Sequence, residues 1–135
     1  MYTAGNLSWI ESKVKLGDDV GVQTEDERPL QGQSPYVINL MLGYDNLDSG
    51  TSASVLYNVF GPRIDQVGAQ GASDIIEEPF HQLDLVASQS LPYGFKIKAK
   101  AQNLLDLEAR KMQDDEIVER YFKGRAFSLS LSWRY

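Results

Sequence analysis

Phe127-Ser128-Leu129-Ser130-Leu131-Ser132-Trp133-Arg134-Tyr135 alternates without a break. The odd-numbered positions, Phe127, Leu129, Leu131, Trp133 and Tyr135, are apolar or aromatic. The even-numbered positions are serines and one arginine. Successive side chains of a strand point to opposite faces, so this stretch predicts a strand with one oily face and one hydrophilic face. Chain ends usually fray in soluble domains, which makes so apolar a terminal strand unusual there. A strand in the wall of a membrane barrel needs this pattern: apolar toward lipid, polar toward the lumen, aromatics at the interface.

The same alternation recurs upstream. Over residues 95–102, Phe95, Ile97, Ala99 and Ala101 oppose Lys96, Lys98, Lys100 and Gln102. Three lysines on one face cannot enter hydrocarbon, where each costs roughly 2–4 kcal/mol at the bilayer midplane. They must face water, with Asp84 on the neighbouring strand as the expected counter-charge. Over residues 80–91, Leu83, Leu85, Ala87 and Leu91 oppose Gln82, Asp84, Ser88 and Ser90. Over residues 51–61, Ala53, Val55, Tyr57 and Val59 oppose Ser52, Ser54, Leu56, Asn58 and Phe60. Over residues 35–46, Tyr36, Ile38, Leu40, Leu42 and Tyr44 oppose Asn39, Gly43 and Asp45, interrupted by Val37 and Met41. Residues 2–16 are strand-like, with a change of phase near Trp9-Ile10 that suggests a bulge or a strand leaving a membrane.

The connections follow a rule of their own. Residues 46–50 and 91–94 are short and rich in turn formers, as hairpins require. Residues 17–34, 62–79 and 105–123 are long and polar. A helical turn is expected near Asp74-Ile75-Ile76-Glu77. A short helix is expected after Asn103, which would cap it, because Leu105, Ala109 and Met112 have helical spacing. Long and short connections alternate, so the short turns lie on one side of the sheet and the long loops on the other. Outer-membrane barrels show that asymmetry, with short periplasmic turns and longer extracellular loops. The expected fold is therefore all-β: an antiparallel up-and-down meander of about six strands, part of a large transmembrane β-barrel.

Bulk properties narrow the function. The chain has 135 residues and a formal net charge of −6, which argues against nucleic acid as a partner, since phosphate binding needs a basic face. There is no run of about 18 apolar residues, hence no transmembrane helix. That does not bear on a barrel, in which only alternate residues of a strand meet lipid. No cysteine is present, which removes disulfides, thiolate-held zinc and thiol catalysis. Met1-Tyr2-Thr3-Ala4-Gly5-Asn6 lacks the basic and apolar regions of a signal peptide. An exported protein needs one, so the expectation is either that this protein is not exported or that its N-terminal part is missing.

Several stretches together resemble the C-terminal barrel of TonB-dependent outer-membrane receptors. They are Arg28-Pro29-Leu30-Gln31-Gly32-Gln33-Ser34-Pro35-Tyr36, Leu56-Tyr57-Asn58-Val59-Phe60-Gly61, Asp74-Ile75 through Glu78-Pro79 into Gln82-Leu83-Asp84, Asn103-Leu104-Leu105-Asp106, and the terminal strand. The resemblance spans nearly the whole chain. It implies a barrel of about 22 strands closed by an N-terminal plug domain, in the outer membrane of a Gram-negative bacterium. The implied work is energy-coupled uptake of a scarce nutrient such as a metal chelate, cobalamin or a glycan, driven by an inner-membrane TonB complex. Residues 1–135 would be the C-terminal portion, without the plug and the earlier strands. Phe127, Leu129, Leu131, Trp133 and Tyr135 would carry the signal read by the barrel-assembly machinery, although a terminal Phe is the commoner ending. The implied partners are outer-membrane lipid, the plug domain, the TonB complex and that machinery.

In such a wall, Asn39, Asn58, Gln82, Asp84, Lys96, Lys98, Lys100 and Gln102 would face the lumen, where they bind substrate or satisfy one another, water or the plug. No catalytic, metal or cofactor constellation emerges. His81 adjoins Asp84 in sequence but sits on the opposite strand face. Asp18-Asp19 and Asp114-Asp115-Glu116 lack the glycine-spaced ligand loop of a calcium site. Glu77 and Glu78 diverge as strand neighbours, and the serines lack a nucleophile elbow. The chief alternative is a soluble all-β ligand-binding module, a sandwich or small closed barrel whose apolar faces form a private core. An enzyme on a β scaffold is a third reading.

Overall fold

The structure, a computed structural model, describes residues 1–15, 27–68 and 72–134. In chain order the strands are β1 Tyr2–Trp9, β2 Val14–Lys15, β3 Glu27–Arg28, β4 Tyr36–Asn46, β5 Thr51–Phe60, β6 Arg63–Gln66, β7 Ile75–Glu77, β8 Phe80–Ser90, β9 Phe95–Gln102, β10 Glu108–Gln113, β11 Glu116–Phe122 and β12 Ala126–Trp133. The only helical piece among the described residues is the 3-10 turn Pro92–Gly94. The protein is all-β, and every strand pairing is antiparallel.

Six strands form one open sheet in the order β1-β4-β5-β8-β9-β12. Each is a hydrogen-bonded neighbour of the next long strand in sequence, which is an up-and-down meander. Its two short connections lie at one end. At the first, the Asn46 side-chain oxygen accepts from the backbone N–H groups of Asp48 (3.0 Å) and Ser49 (3.2 Å), an Asx turn that fixes the hairpin. At the second, Tyr93 (φ 63°) and Gly94 (φ 78°) are consecutive left-handed residues, as tight hairpin turns demand. The three long connections lie at the other end.

That end carries structure the alternation pattern did not predict. The expected helical turn at 74–77 is instead strand β7. The expected helix after Asn103 is instead the β10–β11 hairpin, turned at Asp114 (φ 51°). Asn103 itself has φ 54° and caps no helix. Strands β6, β7, β10 and β11 form a second sheet in the order β11-β10-β7-β6, and β2 pairs with β3. The bulge expected near Trp9-Ile10 is absent: β1 pairs with β4 in unbroken register from Tyr2 to Trp9. The phase changes because the strand ends there, with Ile10 N–H donating to the Pro35 carbonyl. Most of the loop expected at 17–34 lies outside the described residues, as does the Asp18-Asp19 pair.

Apart from Gly43, which lies under the Tyr2 ring, burial is confined to the long-connection end. Val59, Ile64, Phe80 and Ala109 are its buried apolar residues, together with Glu77, Ser34 and Asn103. They come from the long-connection ends of β5 and β8, from the second sheet and, for Ser34 and Asn103, from the connections beside β4 and β9. Arg63 lies 4.5 Å over the Phe60 ring and Lys123 Nζ 3.8 Å over Phe80. These cations cover the stacked Phe60–Phe80 pair, at about 0.5–2 kcal/mol each. The rest of the six-stranded sheet is a single layer.

Candidate functional site

Pairing register assigns each residue of the meander to a face. One cross-strand row reads Thr3, Leu42, Val55, Leu85, Ala101, Phe127, and the next reads Tyr44, Ala53, Ala87, Ala99, Leu129. Leu131 stands opposite Ile97, and Trp133 opposite Phe95. Aromatics mark both ends of this face, with Trp9 and Tyr36 at one and Tyr44, Phe95 and Trp133 at the other. The rows between are mainly aliphatic, interrupted by Tyr57 and His81. Leu129, Leu131 and Trp133 are 72, 66 and 60% exposed. From the strand spacing, the face measures roughly 700 Å² in projection. The largest apolar patch on a soluble monomer is about 300–600 Å².

The opposite face holds all the Asp and Lys residues of the meander: Asp45, Asp84, Lys96, Lys98 and Lys100. Asn39, Asn58, Gln82 and Gln102 share it, so the polar residues singled out from sequence do fall on one surface. The structure links several of them. Asn58 Nδ2 donates to Asn39 Oδ1, and Gln82 Nε2 donates to both Asp84 oxygens at 3.0 and 3.1 Å. Asp84 also accepts from the Asn103 backbone N–H at 2.9 Å. It was expected to balance the lysines, and the structure corrects this: its carboxylate is taken up by an amide and a backbone donor at the start of the Asn103 turn. Phe127, Leu129, Leu131 and Trp133 line one edge strand together; Tyr135 lies outside the described residues.

His81, set against Asp84 in the sequence reading, hydrogen-bonds the Tyr57 hydroxyl through Nδ1 at 2.6 Å. Both belong to the apolar face. The parity of β5 and β8 was legible in the sequence; the register that brings Tyr57 beside His81 was not.

The second sheet adds two rows that alternation could not reveal. Arg63, Glu77, Lys111 and Glu119 stand directly opposite one another across all four strands. Arg63 Nη2 meets Glu77 at 2.6 Å, and Lys111 Nζ meets Glu119 at 2.8 Å and Asp65 at 3.0 Å. Hydrogen bonds to Glu119 first and then Asp65 hold the Lys111 ammonium well above the ordinary lysine range. The adjacent row is apolar: Ile64, Ile76, Met112 and Ile117. Its first three members floor an open cavity of about 780 Å³, whose rim includes Arg28, Asp74, Glu78 and Asp114. Among the described residues, no three His, Asp or Glu side chains come together as a metal site.

Comparisons with protein-family models, with curated proteins and with solved structures find no match to this chain.

Proposed function

We propose that this chain is part of the wall of a transmembrane β-barrel, a segment of a TonB-dependent receptor in the outer membrane of a Gram-negative bacterium. Its role is energy-coupled uptake of a scarce nutrient, a metal chelate, cobalamin or glycan, and not catalysis. The observation that carries the reading is the uncovered apolar face. It is free of Asp, Glu, Lys and Arg, is bounded by aromatics at both ends, and is backed by a face that holds all five such charges of the meander.

Strand lengths fit the same reading. β4 and β8 have 11 residues each, and a tilted transmembrane strand needs about 9–11. Both outer edges of the meander are open, and β1 and β12 contain neither charge nor proline. Soluble sheets blunt exposed edges with such residues. Strands of a larger barrel need no such protection, because a neighbour covers them. On this reading the lipid contacts the Leu129–Leu131 face, and the plug domain, TonB complex and barrel-assembly machinery are partners of the whole receptor. The receptor class itself rests on the sequence resemblance described above.

Refolding the chain with and without detergent tests the wall reading. Detergent-dependent folding with heat-modifiable migration is expected. A monodisperse, cooperatively folding monomer in plain buffer contradicts it and favours the soluble binding module. For the receptor class, the coding sequence upstream of Met1 is expected to specify a plug-like domain and a signal peptide; a different upstream domain overturns that assignment.

A further inference from the structure

Lys96, Lys98 and Lys100 form the one cationic ridge of the meander. All three are exposed, and among the described residues no carboxylate pairs with any of them. The nearest candidate by register, Asp84, is engaged elsewhere. The bed around the ridge is low. Serines of β12 stand opposite each lysine on one side, and Ser88 and Ser90 stand opposite Lys98 and Lys96 on the other. Short hydroxyl side chains, those of Ser130 and Ser132 turned to the Lys98 and Lys96 carbonyls and that of Ser88 to Ser52, leave room for a second body to come close to the sheet.

We propose that this ridge docks an acidic, extended polypeptide segment whose carboxylates alternate with the period of a strand. The charges repeat every two residues, about 6.8 Å, over roughly 14 Å. A second extended chain with carboxylates at alternate positions presents the same spacing. Charge complementarity selects carboxylates. The chain's net charge of −6 disfavours a long polyanion such as nucleic acid, whereas a short acidic segment meets only the ridge. Lipid acyl chains are excluded, because the ridge lies opposite the apolar face. The inference rests on the wall reading, which turns this face inward to a wet interior where another polypeptide can lie.

The test uses the full chain refolded in detergent micelles and fluorescence anisotropy at low salt. The probes are a short labelled peptide with glutamate at alternate positions, an isomer with the glutamates contiguous, and a short polyphosphate. Binding of the alternating peptide is expected to weaken roughly tenfold in the K96Q/K98Q/K100Q variant, the summed effect of three exposed charge pairs. The isomer and polyphosphate are expected to bind more weakly than the alternating peptide. A K96E/K98E/K100E variant is expected to lose that peptide and take up one with lysine at the same positions. Equal binding by wild type and the glutamine variant overturns the inference. So does equal binding of all three probes, which signals diffuse anion attraction. If the chain refolds in micelles and anisotropy stays flat, docking alone falls; if it does not refold in a detergent-dependent way, the wall reading falls.

Discussion

The Trp133 indole lies over the Phe95 ring, with 6.2 Å between centroids and 24° between planes. Its Nε1–H donates to the Tyr93 carbonyl at 3.1 Å. One residue thus ties the last strand to its neighbour and to the tight turn before that neighbour. Such ring pairs contribute about 0.5–1.5 kcal/mol beyond their buried area, and an exposed neutral hydrogen bond adds about 0.5 kcal/mol. W133A is expected to lose both terms and W133F to keep the stacking alone. Urea unfolding in micelles of the two variants beside wild type measures the difference.

Leu129 and Ser130 are adjacent in sequence and opposite in face. Arginine in place of Leu129 puts a charge on the apolar surface, where a membrane wall loses up to about 2–4 kcal/mol. Arginine in place of Ser130 adds a cation on the hydrophilic side. L129R is expected to abolish or strongly impair refolding into lipid vesicles, and S130R to refold nearly as wild type. Equal behaviour of the two variants contradicts the assignment of faces.

Tyr2 packs flat across Gly43, its direct partner on β4. A Cβ on Gly43 would come within 2.2 Å of the Tyr2 ring, so the ring must swing away. G43A is expected to loosen the β1 edge by about 1 kcal/mol, within the ordinary range of single substitutions. In a Y2A background that cost is expected to disappear, since no ring remains to displace. A double-mutant cycle followed by hydrogen exchange at β1 amides reads this coupling.

Lys111 sits between two carboxylates in the second sheet, with its side chain 17% exposed. Its folded-state pKa is raised, so its contribution to stability is complete below the unfolded lysine value of about 10.4. That contribution is lost only as pH climbs from there through the higher folded value. Wild type is expected to keep the β10–β11 hairpin ordered to more alkaline pH than K111M, as judged by limited proteolysis. Amine-reactive labelling with mass spectrometry is expected to modify Lys111 more slowly than Lys96, Lys98 and Lys100.

The meander was legible because each of its strands keeps one phase. Leu129 and Leu131, Ile97 and Ala99, Leu40 and Leu42 all announce their face by parity alone. The second sheet was not legible, for physical reasons. Its strands are short, and both the β6–β7 and β10–β11 ladders shift register, between Ile64 and Gln66 and between Lys111 and Met112. A shift breaks the period of two. Leu105, Ala109 and Met112 then mimic helical spacing by accident. What holds this sheet is the row from Arg63 to Glu119, four charges on four strands, which no local window displays. One signal was available: Asp114-Asp115 between two six- to seven-residue runs is a plausible hairpin turn. On the polar face, the residues were found by parity, but their partners depend on turns. Asp84 binds Asn103 because that residue, in the left-handed region, brings its N–H back toward β8.

The sheet's orientation toward lipid is tested most directly by its two tryptophans, Trp9 and Trp133, at opposite ends of the apolar face. Fluorescence of the refolded chain is measured in vesicles of lipids brominated at shallow or deep acyl positions, with W9F and W133F separating the two signals. Both tryptophans are expected to be quenched, and more strongly by shallow than by deep bromines, as residues at the two interfaces must be. A folded chain in which neither tryptophan is quenched at any depth contradicts a lipid-facing wall.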